Sequence, residues 1–149
     1  MLLISLSLLL ALLMAGCSLP FSRSLALKTC SAAKIPLEAG HTRKAEGCLH
    51  LHLDPGDIWE QDGYDLASRV GYREHPACDG FFLTLSWKVT NREDHQVVWT
   101  VVRQDQTLPV GGGAEGQFRF GCGLYQLHNK YKSDPLAVDV RVVVDQLSR

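Results

Sequence analysis

Residues 81–90 read FFLTLSWKVT and residues 97–103 read VVWTVVR, with the polar stretch Asn91-Arg92-Glu93-Asp94 between them. In the first run Phe81, Leu83, Leu85, Trp87 and Val89 alternate with Phe82, Thr84, Ser86, Lys88 and Thr90. Successive side chains of an extended chain point to opposite faces, so this spacing builds a strand with one apolar face. The second run is rich in β-branched residues, which suit a pleated surface. Two such runs across a short polar loop predict a hairpin, with Trp87 and Trp99 near each other across the pair.

Toward the C-terminus, Pro109–Gly116 (PVGGGAEG) reads as a flexible loop. Phe118, Phe120, Cys122 and Leu124 then alternate in a strand thinned by Gly121 and Gly123. After a turn at Asn129–Pro135, Leu136, Val138, Val140, Val142 and Val144 define a largely one-sided strand. Toward the N-terminus, Leu66–Tyr72 reads as another strand, Ile58–Gly63 is ambiguous, and Asp54-Pro55-Gly56-Asp57 is a turn by composition. Cys48–Leu53 (CLHLHL) alternates cleanly, whereas Cys30–Glu46 has no clear period and reads mostly as loop. Leu25-Ala26-Leu27 is a short candidate strand. No helix is expected in this body. The pattern predicts an all-β fold over residues 25–149: a single antiparallel β-sandwich, or small barrel, of about 6–8 strands. An immunoglobulin domain is not expected. Phe120 stands two before Cys122, where that family has a tyrosine, and Cys48 faces away from its strand's leucines.

The chain opens with MLLISLSLLLALLMAG, residues 1–16, followed by Cys17. An apolar core followed by small residues suits an export signal and is too short to span a bilayer, which takes about 20 apolar residues. Leu13-Met14-Ala15-Gly16-Cys17 resembles the lipobox of bacterial lipoproteins. The resemblance implies a signal peptide over 1–16, lipidation at Cys17 and a tether over 17–24. It also implies an outer-membrane anchor facing the periplasm; cleavage without lipidation would instead give a secreted or soluble periplasmic chain. Setting Cys17 aside leaves Cys30, Cys48, Cys78 and Cys122, an even set that reads as disulfides in an exported protein. Of the three pairings, closeness in sequence favours Cys30–Cys48 and elimination leaves Cys78–Cys122. None forms a C-x-x-C pair, which argues against a thioredoxin-like centre.

The net charge of −1 gives no basic excess for nucleic acid and no polybasic run for anionic lipid. Membrane contact is expected through the N-terminal lipid. The sharpest chemical candidate is Cys48-x-His50-x-His52, whose side chains share one face of a strand and so suit copper or zinc. The plainer reading is a solvated strand face with Cys48 in a disulfide. Gly111-Gly112-Gly113 lacks the Lys-Ser/Thr of a phosphate loop, and Ser86 sits mid-strand without a G-x-S-x-G elbow. Asp57, Glu60, Asp62 and Asp65 lack EF-hand spacing. Trp59 and Tyr64, among these acids, are candidate partner-binding anchors. The expectation is a non-catalytic envelope lipoprotein, without cofactor or nucleic acid, that binds another envelope protein. The alternative is a periplasmic copper or zinc protein using His50 and His52.

Overall fold

The structure is a computed structural model that describes residues 29–74 and 80–149. Its elements in chain order are β1 (His41–Leu53), β2 (Ile58–Asp62), α1 (Gly63–Arg69), β3 (Phe82–Val89), β4 (Val97–Arg103), β5 (Gln106–Gly113), β6 (Glu115–Phe120), β7 (Leu124–His128) and β8 (Leu136–Leu147). The strands form two four-stranded sheets, ordered β1-β8-β3-β6 and β2-β7-β4-β5. Every strand pair is antiparallel. The expected sandwich is therefore the fold.

The alternating residues build the core. Leu83, Leu85, Trp87 and Val89 of β3 and the alternate valines of β8 face Val97, Trp99 and Val101 of β4 and Tyr125 and Leu127 of β7. The expected β3–β4 hairpin does not form, because the two strands belong to different sheets. The polar loop carries the chain over the core, and Trp87 meets Trp99 across it, ring centroids 6.1 Å apart. Alternation specifies which face of a strand is buried but not its neighbour. Indeed, among the described strands, the chain changes sheet at every connection except β4–β5.

That single hairpin turns at Gln104 and Asp105, with φ of 52° and 63°. Two consecutive positive values are the type I′ geometry that matches strand twist. Pro109–Gly116, expected as a loop, is instead the end of β5 and the start of β6. Its glycines make room for Trp87: a Cβ on Gly111 would lie 2.8 Å, and on Gly116 2.6 Å, from the indole. The indole Nε1 donates to Gly113 O at 3.3 Å.

Leu66–Tyr72, expected as a strand, is mostly the helix α1. Asp62 caps it, accepting a hydrogen bond from the Tyr64 amide at 2.9 Å. Leu66 and Ala67 are fully buried in the core, and this packing offsets the cost of nucleating so short a helix. β1 starts at His41, inside the expected loop, and pairs with β8 from His41↔Leu147 to Leu53↔Leu136. Buried Asn129 ties the far end, its Nδ2 donating to Asp54 O at 3.0 Å and Asp134 O at 2.9 Å.

β8 is less one-sided than its sequence implies, since Asp139, Val143 and Asp145 are buried on the face opposite the core. Residues 30–38 form a strap over that face. Arg141 Nη2 donates to Ala32 O at 3.3 Å, Ser86 Oγ to Ala33 O at 2.6 Å, and Arg43 Nη1 to Ile35 O at 2.8 Å. Glu38 pairs with Arg119 of β6, and Ala32 and Ile35 are buried. The expected Cys30–Cys48 disulfide pins the strap to β1, with Cα atoms 6.0 Å apart. Cys122 is buried and disulfide-bonded. Cys78, Leu25–Leu27, Cys17, the 1–16 segment and the 17–24 tether lie outside the described residues.

Candidate functional site

The strap's pinned end gathers the strongest chemical groups. Pairing of β1 with β8 sets Cys48 opposite Arg141 and His50 opposite Asp139. Asp139 is buried; one carboxylate oxygen lies 2.7 Å from His50 Nδ1, and the other accepts the Ser31 amide at 2.8 Å. Burial raises its pKa, but the Ser31 and His50 hydrogen bonds outweigh that and hold the carboxyl below the usual range. Cys30 Sγ, Cys48 Sγ and an Asp139 oxygen all lie within 4.8 Å of one another. With the bridge closed the sulfurs are not thiolates, the form in which cysteine ligates metals.

His50 and His52 share the strand face expected of them but do not converge. His50 turns toward Asp139, while His52 is largely exposed, with Nε2 3.5 Å from Asp54 Oδ1. Trp59 is on β2, half-buried, edge-on to Trp99 at 6.4 Å and capped by the Arg69 guanidinium at 5.8 Å. Tyr64 is on α1 with its ring edge-on to Phe81 at 5.4 Å. Both aromatics pack against the core. The acids around them serve local structure: Asp57 accepts the Asp54 amide, Asp62 caps α1, and Glu60 accepts from Gln126. Ser86 is buried beneath the strap, donating to its backbone.

Sequence reasoning missed the outer face of the second sheet. Register aligns three rows across β2, β7 and β4: Ile58–His128–Val98, Glu60–Gln126–Thr100 and Asp62–Leu124–Val102. None of these nine residues is buried, in contrast to the strapped face. A polar ladder runs through the centre. Gln126 Nε2 donates to Glu60 at 2.8 Å, so its Oε1 accepts the Thr100 hydroxyl at 2.8 Å. The hydroxyl, its one proton spent, accepts from His128 Nε2 at 2.8 Å. Burial, then the nearby Lys130, lowers the His128 pKa, which suits this neutral Nε2–H tautomer.

A second missed cluster joins the 90–96 and 129–135 loops. His95 lies between Asp94, at 2.9 Å from Nδ1, and Asp134, at 2.7 Å from Nε2, and stacks on Tyr131 at 4.0 Å. The Asp134 hydrogen bond, outweighing desolvation with help from Asp94, raises its pKa. Both ring nitrogens are occupied by carboxylates, so this is a clamp.

Among the described residues no helix is long and apolar enough to cross a membrane. No family model and no curated protein matches the chain. A solved structure described as the crystal structure of FLHE is similar over 74% of this chain and 100% of its own, at 11% identity and a TM-score of 0.41. A likeness at that level assigns no function to this chain.

Proposed function

We propose that this chain is a non-catalytic envelope lipoprotein, anchored through Cys17 at the outer membrane, that docks another envelope protein on the outer face of its second sheet. The observation that carries this reading is the asymmetry of the sandwich. One outer face is closed by the strap, while the other leaves Ile58, Val98, Val102 and Leu124 unburied around the Glu60–Gln126–Thr100–His128 ladder. A partner of fitting chemistry is a protein surface with hydrogen-bonding side chains at its centre, opposite Gln126 and Thr100, apolar side chains on either side of them, and cations at the β2 rim, opposite Glu60 and Asp62. Such a patch, with apolar and polar side chains mixed, has the composition of a non-obligate protein interface.

The test is photo-crosslinking in intact membranes from position 98, with position 117 on β6 as control. A single adduct from position 98 that disappears in Thr100→Lys, with the melting curve unchanged, is expected. Adducts only from position 117, or none from position 98, would overturn the docking face. Intact-mass analysis of the membrane extract separately tests the anchor: an acylated chain beginning at Cys17 is expected, and one beginning at Leu19 would sink it.

A second reading, a copper- or zinc-binding periplasmic protein, is favoured by the His50–Asp139 contact. Metal-ligating histidines commonly give their other ring nitrogen to a carboxylate, and Nδ1 is the nitrogen Asp139 occupies. Calorimetric titration of the bridged protein with Zn²⁺ or Cu²⁺ tests it. Binding that persists unchanged in His50→Ala with His52→Ala would refute it.

A further inference from the structure

We infer that the Cys30–Cys48 bridge is one state of a redox-gated metal site, in which the reduced cysteines and Asp139 hold a zinc-like divalent cation that pins the strap in place of the disulfide. This site differs in ligands and redox state from the His50 and His52 site of the metal-binding reading, and it rests on neither that reading nor the docking one.

The geometry that carries it is the spread of the three donors, all within 4.8 Å of one another. Two thiolates on one tetrahedral zinc stand about 3.8 Å apart, from Zn–S bonds of about 2.3 Å. The sulfurs can therefore reach ligating distance by small rotations of two side chains, with the backbones of β1 and the strap left in place. Asp139 has the setting of a metal carboxylate: it is buried, and the Ser31 amide and His50 fix its two oxygens. Two thiolates and a carboxylate suit zinc, leaving a fourth position for water. His50 is a positioning residue here, since it orients Asp139.

The chemistry balances with a dithiol reductant. Exchange breaks the Cys30–Cys48 S–S bond, transfers two electrons and two protons to the pair, and leaves the reductant as its own disulfide. Zinc then replaces the two thiol protons, which are released to water. Reoxidation by a disulfide reverses both steps and expels the ion. Either state ties residues 30–38 across the sheet; the metal-free dithiol leaves this covalent or coordinate tie open.

The test uses the full chain, bridged and phosphine-reduced, titrated with Co²⁺ alone and followed by thiolate-to-metal charge-transfer absorption, with Zn²⁺ as competitor. Because phosphine also opens the bridge of Cys122, the reduced variant Cys30→Ser with Cys48→Ser is the control, and a band that survives in it would overturn the inference. One equivalent of Co²⁺ is expected to give the band in the reduced protein, and no band is expected in the bridged one. Asp139→Asn should weaken binding at least tenfold, and His50→Ala roughly 10–100-fold, the usual cost of losing an outer-shell partner. If reduction unfolds the chain, one equivalent of Zn²⁺ must restore the circular dichroism of the bridged protein, because metal binding is then coupled to folding. No band in the reduced folded chain, a band indifferent to Asp139→Asn, or failure of Zn²⁺ to refold an unfolded reduced chain would each overturn the inference. Zn²⁺ or Cu²⁺ binding to the bridged protein that needs His50 and His52 would support the second reading whatever the outcome here.

Discussion

Replacing both cysteines of the bridge that pins the strap to β1, Cys30→Ser with Cys48→Ser, perturbs one covalent link and little else. The bridge closes a loop with a sequence separation of 18 residues. In the chain-entropy account, opening a loop of that length frees the unfolded ensemble by about 3 kcal/mol at 25 °C. For a domain of this size the same loss lowers Tm by about 10 °C. The folded state should survive, since the hydrogen bonds to Ser31, Ala32, Ala33 and Ile35 do not involve sulfur. Urea denaturation of the wild-type and double variant, with hydrogen exchange at the Ser31 amide, checks this. The expected result is a stability loss near 3 kcal/mol, an m value that does not fall, and a Ser31 amide still protected in the native state. A loss below about 1 kcal/mol would refute the entropic account. A Ser31 amide that exchanges freely would show that the bridge holds the strap down in the folded protein itself.

Two further outcomes follow from the core and the loop clamp. Gly116→Ala places a Cβ 2.6 Å from an indole that Trp99 and Phe118 also contact. It should cost about 1–3 kcal/mol in thermal melts, whereas Gly112→Ala, whose Cβ meets only Val97 O at 3.4 Å, should change stability by about 0.5 kcal/mol or less. Equal effects would refute the seat. His95→Gln should alter the pH dependence of Tm. The raised His95 pKa gives stability that is complete below about 6.5 and lost as pH rises through the folded value; the lowered values of Asp94 and Asp134 give stability lost as pH falls below about 4. The Tm difference between wild type and variant is therefore largest between those limits and shrinks on either side; a difference independent of pH would refute the clamp.

Faces were legible in the sequence where neighbours were not. The alternation of β3, β4 and β8 marked the residues that fill the core, because period two is a property of each strand alone. The partner of a strand depends on the path of the loop, and 90–96 leads across the core. Glycine misled at 111 and 116: it is a residue of loops, but here it clears space for Trp87. The helix had a local signal, Asp62 before Gly63 with Asp65 in the first turn, which the short apolar run Leu66-Ala67 obscured. Of the pinned cluster, Cys48 and His50 could be read from one strand and Cys30 from disulfide arithmetic. Asp139 could not, since it joins them through the β1–β8 register across 89 residues.

The alternation of sheets along the chain has a kinetic consequence. Among the described strands, only β4 and β5 pair across a two-residue turn, so there Gln104–Asp105 is the one place where a hairpin can close early, on a scale of about 1–10 μs. Every other ladder waits for strands separated by a visit to the opposite layer. The second sheet has all four of its strands by β7, whereas the first must wait for β8. Such a topology, dominated by non-local pairing, folds in about milliseconds to seconds. β8 arrives last in the chain and enters between β1 and β3. Until it does, the first sheet is two separated edges, and the strap has no Asp139 or Arg141 to bind.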